Sequence, residues 1–175
     1  MNDSAQTLLT RRLELRWLTE ADVDLLLAIW NDPGYIQNVG DRGIRTPEAA
    51  LEAMRSILFT LYDEHGFGPY VLTRRGGGPP MGVCGLFKRS ALEHPDIGYA
   101  LLPDFRGCGY ALEAARAVVA HARDTLRLGQ IQAIVSPSNP RSIQLLEALG
   151  MRRRAPIRLP GEDADVLLYA LSFDQ

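Results

Sequence analysis

Asp96-Ile-Gly-Tyr-Ala-Leu-Leu-Pro-Asp-Phe-Arg-Gly-Cys-Gly-Tyr-Ala111 reads as a strand that ends in an Arg/Gly-rich turn, and the turn opens straight into a long helix. The strand portion, residues 96 to 102, alternates in period two: Asp96, Gly98 and Ala100 share one face, Ile97, Tyr99 and Leu101 the other. In the turn, Gly107 and Gly109 let main-chain N–H groups come close to an anion, and Arg106 adds a charge free to move. The amides from Gly107 to Ala111 lie at a helix N-terminus, where no intrahelical partner uses them and the dipole end is positive. A pyrophosphate fits such a backbone, and so does an ordinary tight strand-to-helix turn. The glycines alone do not separate the two.

Outward from the turn, the periodicity predicts a helix from about Gly109 to Leu128, with Leu112, Ala115, Val119, Ala122 and Leu126 on one face and Gly129 as its stop. Gln130-Ile-Gln-Ala-Ile-Val135 follows as a strand, so the unit is a right-handed parallel crossover. Asn139-Pro140 then starts a short helix, with Ile143, Leu146 and Leu149 at buried spacing and Gly150 as its cap. Upstream, Leu13 to Trp17 alternates as a strand and Thr19-Glu-Ala-Asp22 reads as a capping box. The helix behind it carries Val23, Leu26, Leu27 and Trp30, and Asn31-Asp-Pro-Gly34 ends it. Residues 35 to 45 have no clear period. Thr46-Pro47 opens a further helix with Leu51, Met54, Leu58 and Leu61, a cover that can border a substrate groove or simply pack on the core. Pro69 to Thr73 and Met81 to Phe87 form an antiparallel hairpin across a Gly/Pro loop, and two β-type runs close the chain, near Met151 to Ile157 and at Val166 to Ser172.

Composition narrows the function classes. The 175 residues suit one domain, residues 1–175, and 46% apolar with 23% charged residues is ordinary globular composition. A formal net charge of -2 gives no nucleic-acid or anionic-membrane footprint, although arginine is abundant and Lys88 is the only lysine. Cys84 and Cys108, the only cysteines, have neither disulfide-scaffold nor metal-ligand spacing. No apolar run is long enough to span a bilayer, and Met1-Asn-Asp-Ser-Ala-Gln6 has no secretory pattern, so the cytoplasm is the expected location. A surface or capping role is expected for His65, His94 and His121.

Taken in order, the Ile97-Gly98-Tyr99 strand, the Arg-Gly-Cys-Gly-Tyr-Ala turn, Val135-Ser-Pro-Ser-Asn139 and Ser142 to Met151 resemble the GNAT superfamily of acyl-CoA-dependent N-acetyltransferases. The likeness is nearest to the branch that includes the ribosomal-protein N-terminal acetyltransferases. The family's Arg/Gln-x-x-Gly-x-Gly/Ala motif falls on Arg106, Gly109 and Ala111, and its second signature on Asn139 to Met151. The specific match covers about residues 96 to 151, and two separated motifs in the right order make it strong. The resemblance implies a mixed α/β fold, a mostly antiparallel twisted sheet splayed after the fourth strand and flanked by helices. It implies acetyl-CoA as donor, with pantetheine on the backbone of Ala100, Leu101 and Leu102 and pyrophosphate on Arg106, Gly107, Cys108, Gly109, Tyr110 and Ala111. A primary amine, on a protein N-terminus or a small molecule, would attack the thioester directly, and a backbone N–H near Leu101 would face the oxyanion.

The remaining residues take their roles from the same comparison. Asp96 stands where relatives often carry Glu, so it is the candidate base, against a solvated strand-start aspartate. Asn139 can cap its helix, touch the pantetheine arm, or both. Ser142 can approach the leaving thiol, against a small residue kept for packing. Cys108 is incidental rather than nucleophilic. Many relatives carry a tyrosine four residues before the helix-ending glycine, and here that position is Leu146, which cannot donate a proton. A thiol with a pKa of about 8.5 can leave without a dedicated acid. Two other classes stay open: a coenzyme-binding module without turnover, kept alive by Leu146, and a nucleotide-binding protein, which would lack the Lys-Ser/Thr ending of a phosphate loop. No metal is implied, and the oligomeric state, a homodimer included, is open.

Overall fold

The computed structural model describes residues 7–173, so the Met1–Gln6 stretch read for a leader lies outside the described residues. Strand β1 (Leu8–Leu9) turns through Thr10 into β2 (Leu13–Trp17). The Asp22 carboxylate then accepts from the Thr19 N–H at 2.9 Å and its hydroxyl at 3.1 Å, closing a tight turn over Glu20–Asp22. That extra turn rotates α1 (Val23–Trp30), which buries Leu25, Leu26, Ile29 and Trp30 rather than the expected Val23, Leu26, Leu27 and Trp30 stripe. Asn31 to Gly34 does more than end a helix. Asp32 caps α2 (Pro33–Asn38) by accepting from the Tyr35 N–H at 2.9 Å, with Pro33 in the first helical position.

Thr46 caps α3 (Pro47–Ala53) as expected, accepting from the Ala49 N–H. A π-helical segment over Met54–Leu58 widens the coil before α4 (Phe59–His65), and Ala50, Met54, Leu58 and Leu61 turn inward. β3 (Pro69–Arg74) and β4 (Gly82–Phe87) form the hairpin, and β5 (Asp96–Leu101) extends it antiparallel, pairing Gly82 with Leu101 and Phe87 with Asp96. A short turn over Pro103–Phe105 leads to α5 (Tyr110–Asp124). This helix ends earlier than the Gly129 reading: the Thr125 and Leu126 N–H groups both return to the His121 carbonyl, and Arg127 takes a left-handed φ of 54°. Its buried stripe is also rotated, to Ala114, Ala115, Val118, His121 and Ala122. His121 is therefore a core residue, edge-on to Tyr70 with ring centroids 6.3 Å apart.

β6 (Gln130–Val135) precedes α6 (Pro140–Ala148), and Gly150 closes α6 at φ 82° while the Met151 N–H reaches back to the Leu146 carbonyl. The tail forms three strands, not two. β7 (Arg152–Arg153) and β8 (Ile157–Arg158) both pair with β9 (Asp165–Ser172). The sheet runs β1-β2-β3-β4-β5-β6-β9-β7, with β8 also on β9, and among the described residues every pairing is antiparallel except β5 with β6.

Period-two alternation splits the apolar side chains between two layers. Tyr70, Leu72, Cys84, Leu86, Ile97 and Leu101 face α5 and α6, with Leu13, Leu15, Ile131, Leu146 and Tyr169 in the same cluster. Val71 and Val83 point the other way, into α1 and the Pro47–His65 helical stretch. The site depends on what happens between β5 and β6. They meet at a single register, Asp96 opposite Gln132, with the Gln132 N–H donating to the Pro95 carbonyl at 2.9 Å. Beyond that point the strands part, and each feeds a helix on the same side of the sheet. No helix among the described residues is long and apolar enough to cross a membrane.

Candidate active site at the β5–β6 opening

The turn between β5 and α5 has the backbone its glycines require. Gly107 and Gly109 lie at φ 75° and 79°, where a side chain would strain the chain. A Cβ placed on Gly107 would meet nothing within 4 Å, so the backbone there is open to an approaching group. α2, α3 and α6 are each closed by a side chain, from Asp32, Thr46 and Asn139, but the fifteen-residue α5 has only Gly109 at its cap position and no side chain on its first amides. Glu113, in its first turn, is engaged elsewhere. Its carboxylate takes the Arg12 N–H at 2.8 Å, the Arg12 Nε at 2.6 Å and the Thr10 hydroxyl at 2.7 Å. Burial opposes ionisation of Glu113, yet those donors hold its carboxyl below its ordinary value. The first-turn amides are thus left without a side-chain partner.

Arg106 is fixed rather than free. Its guanidinium pairs with Asp32 at 2.7 Å, and its Nε donates to the Leu101 carbonyl at 3.0 Å. Burial acts against the Asp32 charge, and Arg106 outweighs it, keeping the carboxyl low. Gly34 makes room, since a Cβ there would sit 3.2 Å from an Arg106 nitrogen. The charge of the turn is therefore tied to the start of α2. On the strand, the Leu102 N–H donates to the Met81 carbonyl at 2.9 Å, on the β4 side. Antiparallel alternation then points the main-chain groups of Ala100 toward β4 and those of Leu101 away from it. Cys108 is exposed, with its thiol near the Arg106 carbonyl at 3.6 Å.

Asp96 is 1% exposed, and so is not a solvated strand-start aspartate. One carboxylate oxygen accepts from Arg89 Nε at 2.9 Å, and the other, Oδ1, is buried without a hydrogen-bond partner. Burial pushes this carboxyl above its ordinary value, against the opposing pull of Arg89. It stands at the one β5–β6 register, the apex of the opening.

Across the opening, Asn139 Oδ1 accepts from the Ser142 N–H at 3.2 Å, the expected cap. The Ser142 hydroxyl lies 2.6 Å from the phenol of Tyr99, which reaches over from β5. Leu146 is 1% exposed within the main core, so its position faces the sheet and not the opening. The structure therefore sets Leu101 and the Arg106–Ala111 turn on the β5 side of the opening and Asn139 and Ser142 on the β6 side, joined by the Tyr99–Ser142 contact, with Asp96 at the register where the strands part.

Three residues escape a reading of the sequence. Arg12 donates to the Cys108 carbonyl at 2.9 Å and lies 4.6 Å over the Tyr110 ring, so a guanidinium from the β1–β2 turn braces the mouth of the site. Asp32 and Tyr99 are the other two. Each acts through a contact far along the chain, and no local pattern marks any of them.

The model of the acetyltransferase (GNAT) domain matches residues 12–152. The protein p20 of Bacillus licheniformis, named an uncharacterized N-acetyltransferase, is 28% identical over 175 residues, 95% of this chain and 96% of that protein. The crystal structure of an acetyltransferase from Agrobacterium tumefaciens str. C58 superposes with a TM-score of 0.82 at 25% identity, covering 99% of this chain and 98% of that one. RimL, a ribosomal alpha-N-protein acetyltransferase solved with coenzyme A, shares the fold at a TM-score of 0.81 and 19% identity, covering 97% and 99%. The domain match takes in both the turn and the Asn139 helix, and the chain belongs to the GNAT acetyltransferase family, as an N-acetyltransferase.

Proposed function

We propose that the protein transfers acetyl from acetyl-CoA directly to a primary amine, with a protein N-terminal α-amine favoured over a small-molecule amine. The observation that carries this reading is the uncapped N-terminus of α5 at the mouth of the β5–β6 opening. In this reading Gly107 to Ala111 hold the pyrophosphate through main-chain amides, with Arg106 and Arg12 bordering it. The Leu101 carbonyl, held by Arg106 through one lone pair, keeps the other for the pantetheine arm, and Asn139 meets that arm from α6. The Leu101 N–H faces the oxyanion formed when the amine attacks the thioester carbonyl. Asp96 takes the proton the amine releases, by way of water because its side chain is buried, and its unpartnered Oδ1 is the accepting atom. The C–S bond then breaks with its electron pair moving to sulfur. RimL was solved with coenzyme A, which supports the donor.

A second reading, coenzyme binding without turnover, draws on one observation: Leu146 is core, so no acid faces the sulfur from that position. Calorimetric titration with acetyl-CoA tests the site that both readings share. Gly109→Trp is expected to abolish binding while the fold melts cooperatively, because the left-handed backbone is strained and the new side chain presses on Arg12, 3.3 Å from where its Cβ would stand, at the mouth of the turn. Unchanged affinity removes the turn from the site.

A further inference from the structure

We infer that Tyr99 is a positioning residue that aims the hydroxyl proton of Ser142 at the departing sulfur; this rests on the acetyl-CoA reading of the same cleft. β5 and β6 share only the Asp96–Gln132 register. Three residues beyond it, the Tyr99 phenol spans the gap to the first turn of α6. It stands 2.6 Å from Ser142 Oγ and 3.4 Å from the Ser142 carbonyl. The shorter contact takes the phenol proton, since a phenol is the better donor and an alcohol oxygen the better acceptor. Ser142 has few other choices. Its N–H is given to Asn139 Oδ1, and the Asn139 carbonyl, which a first-turn serine hydroxyl can seek, takes the Ile143 N–H at 3.1 Å and no bond from Oγ. No other partner of Oγ is seen among the described residues.

A serine oxygen that accepts from Tyr99 has one proton left, and it points away from the ring. Donated to sulfur as the C–S bond breaks, it stabilises the thiolate without transferring. The proton released by the amine goes to Asp96 and solvent, so charge and atoms balance. Burial pushes the phenol up to about 12, so it remains a donor throughout the working range. The arrangement replaces the missing phenol at Leu146 with one supplied from the opposite wall, acting at one remove.

The test reads the coenzyme, not turnover. Thiolate absorbance of bound coenzyme A is followed against pH, with the complex of desulfo-coenzyme A as blank. The parent is expected to ionise the bound thiol more readily than Tyr99→Phe or Ser142→Ala, by about tenfold in the ionisation constant, the effect of one such hydrogen bond. Ser142→Thr, which keeps the hydroxyl, retains the parent's value. Adding Tyr99→Phe to Ser142→Ala changes nothing further. A merely structural clasp shifts the melting temperature and leaves the thiol titration alone. An identical titration in parent and Tyr99→Phe overturns this inference only. Failure of the parent to bind coenzyme A overturns the donor reading, and this inference with it.

Discussion

Asp96 shows how a single side chain can be placed by topology and tuned by burial. It occupies the only register that joins β5 to β6, and its unpartnered oxygen lies beneath the point where the strands part. The folded carboxyl is raised above its ordinary 3.8, so the sign of its linkage to stability is fixed. The neutral form is favoured by the fold: the stability it brings is complete below the unfolded pKa and is lost as pH rises through the folded one. Asp96→Asn should therefore gain on the parent in melting temperature as pH rises from acid to neutral. A difference in melting temperature that stays flat with pH contradicts the raised carboxyl. The same variant should turn over more slowly with little change in coenzyme affinity. If its pH–rate profile matched the parent's, the base assignment would fail. Leu146 belongs to the same scale: a leucine buried to this depth stabilises by about 2 kcal/mol, which accounts for its place in the core rather than in the cleft.

At the scale of elements, α2 and the β5–α5 turn are joined by one carboxylate with two duties. Asp32 caps α2 and pairs with Arg106, which in turn holds the Leu101 carbonyl. The duties separate by substitution. Asp32→Asn keeps an oxygen for the Tyr35 N–H but loses the charge pair, whereas Asp32→Ala loses both. Both variants are expected to raise the KM for acetyl-CoA to a similar degree. Only Asp32→Ala should lose, in addition, the ~1 kcal/mol that a helix cap contributes. Urea denaturation of the two proteins measures the difference, and equal stabilities contradict the capping role. α5 is the opposite case, a long helix whose N-terminus has no side chain to close it.

Across the whole molecule, the parts legible in the sequence are those with local signals. The Gly107–Gly109 turn, the Thr46 and Asn139 caps, the β3–β4 hairpin and the β5–α5–β6 crossover all announce themselves within a few residues. The phases of α1 and α5 did not, because a tight entry turn and close packing of alanines rotated their buried faces. The working contacts are harder still. Arg12 meets Glu113 across 101 residues, Asp32 meets Arg106 across 74, and Tyr99 meets Ser142 across 43. Periodicity carries nothing over such separations, so Arg106 reads as a free charge and Tyr99 only as a strand residue sharing a face with Ile97 and Leu101 until the chain is folded. The fold that unites them is an open sheet whose one parallel pair among the described residues parts after a single register, and acetyl transfer is the proposed use of that opening. The most direct test is release of coenzyme A from acetyl-CoA across a panel of peptides with free N-termini and small primary amines, with the products identified by mass. The expected result is amine-dependent thiol release matched by acetylated amine, lost in Gly109→Trp. Tight binding of acetyl-CoA with no acetylated amine anywhere on the panel contradicts it.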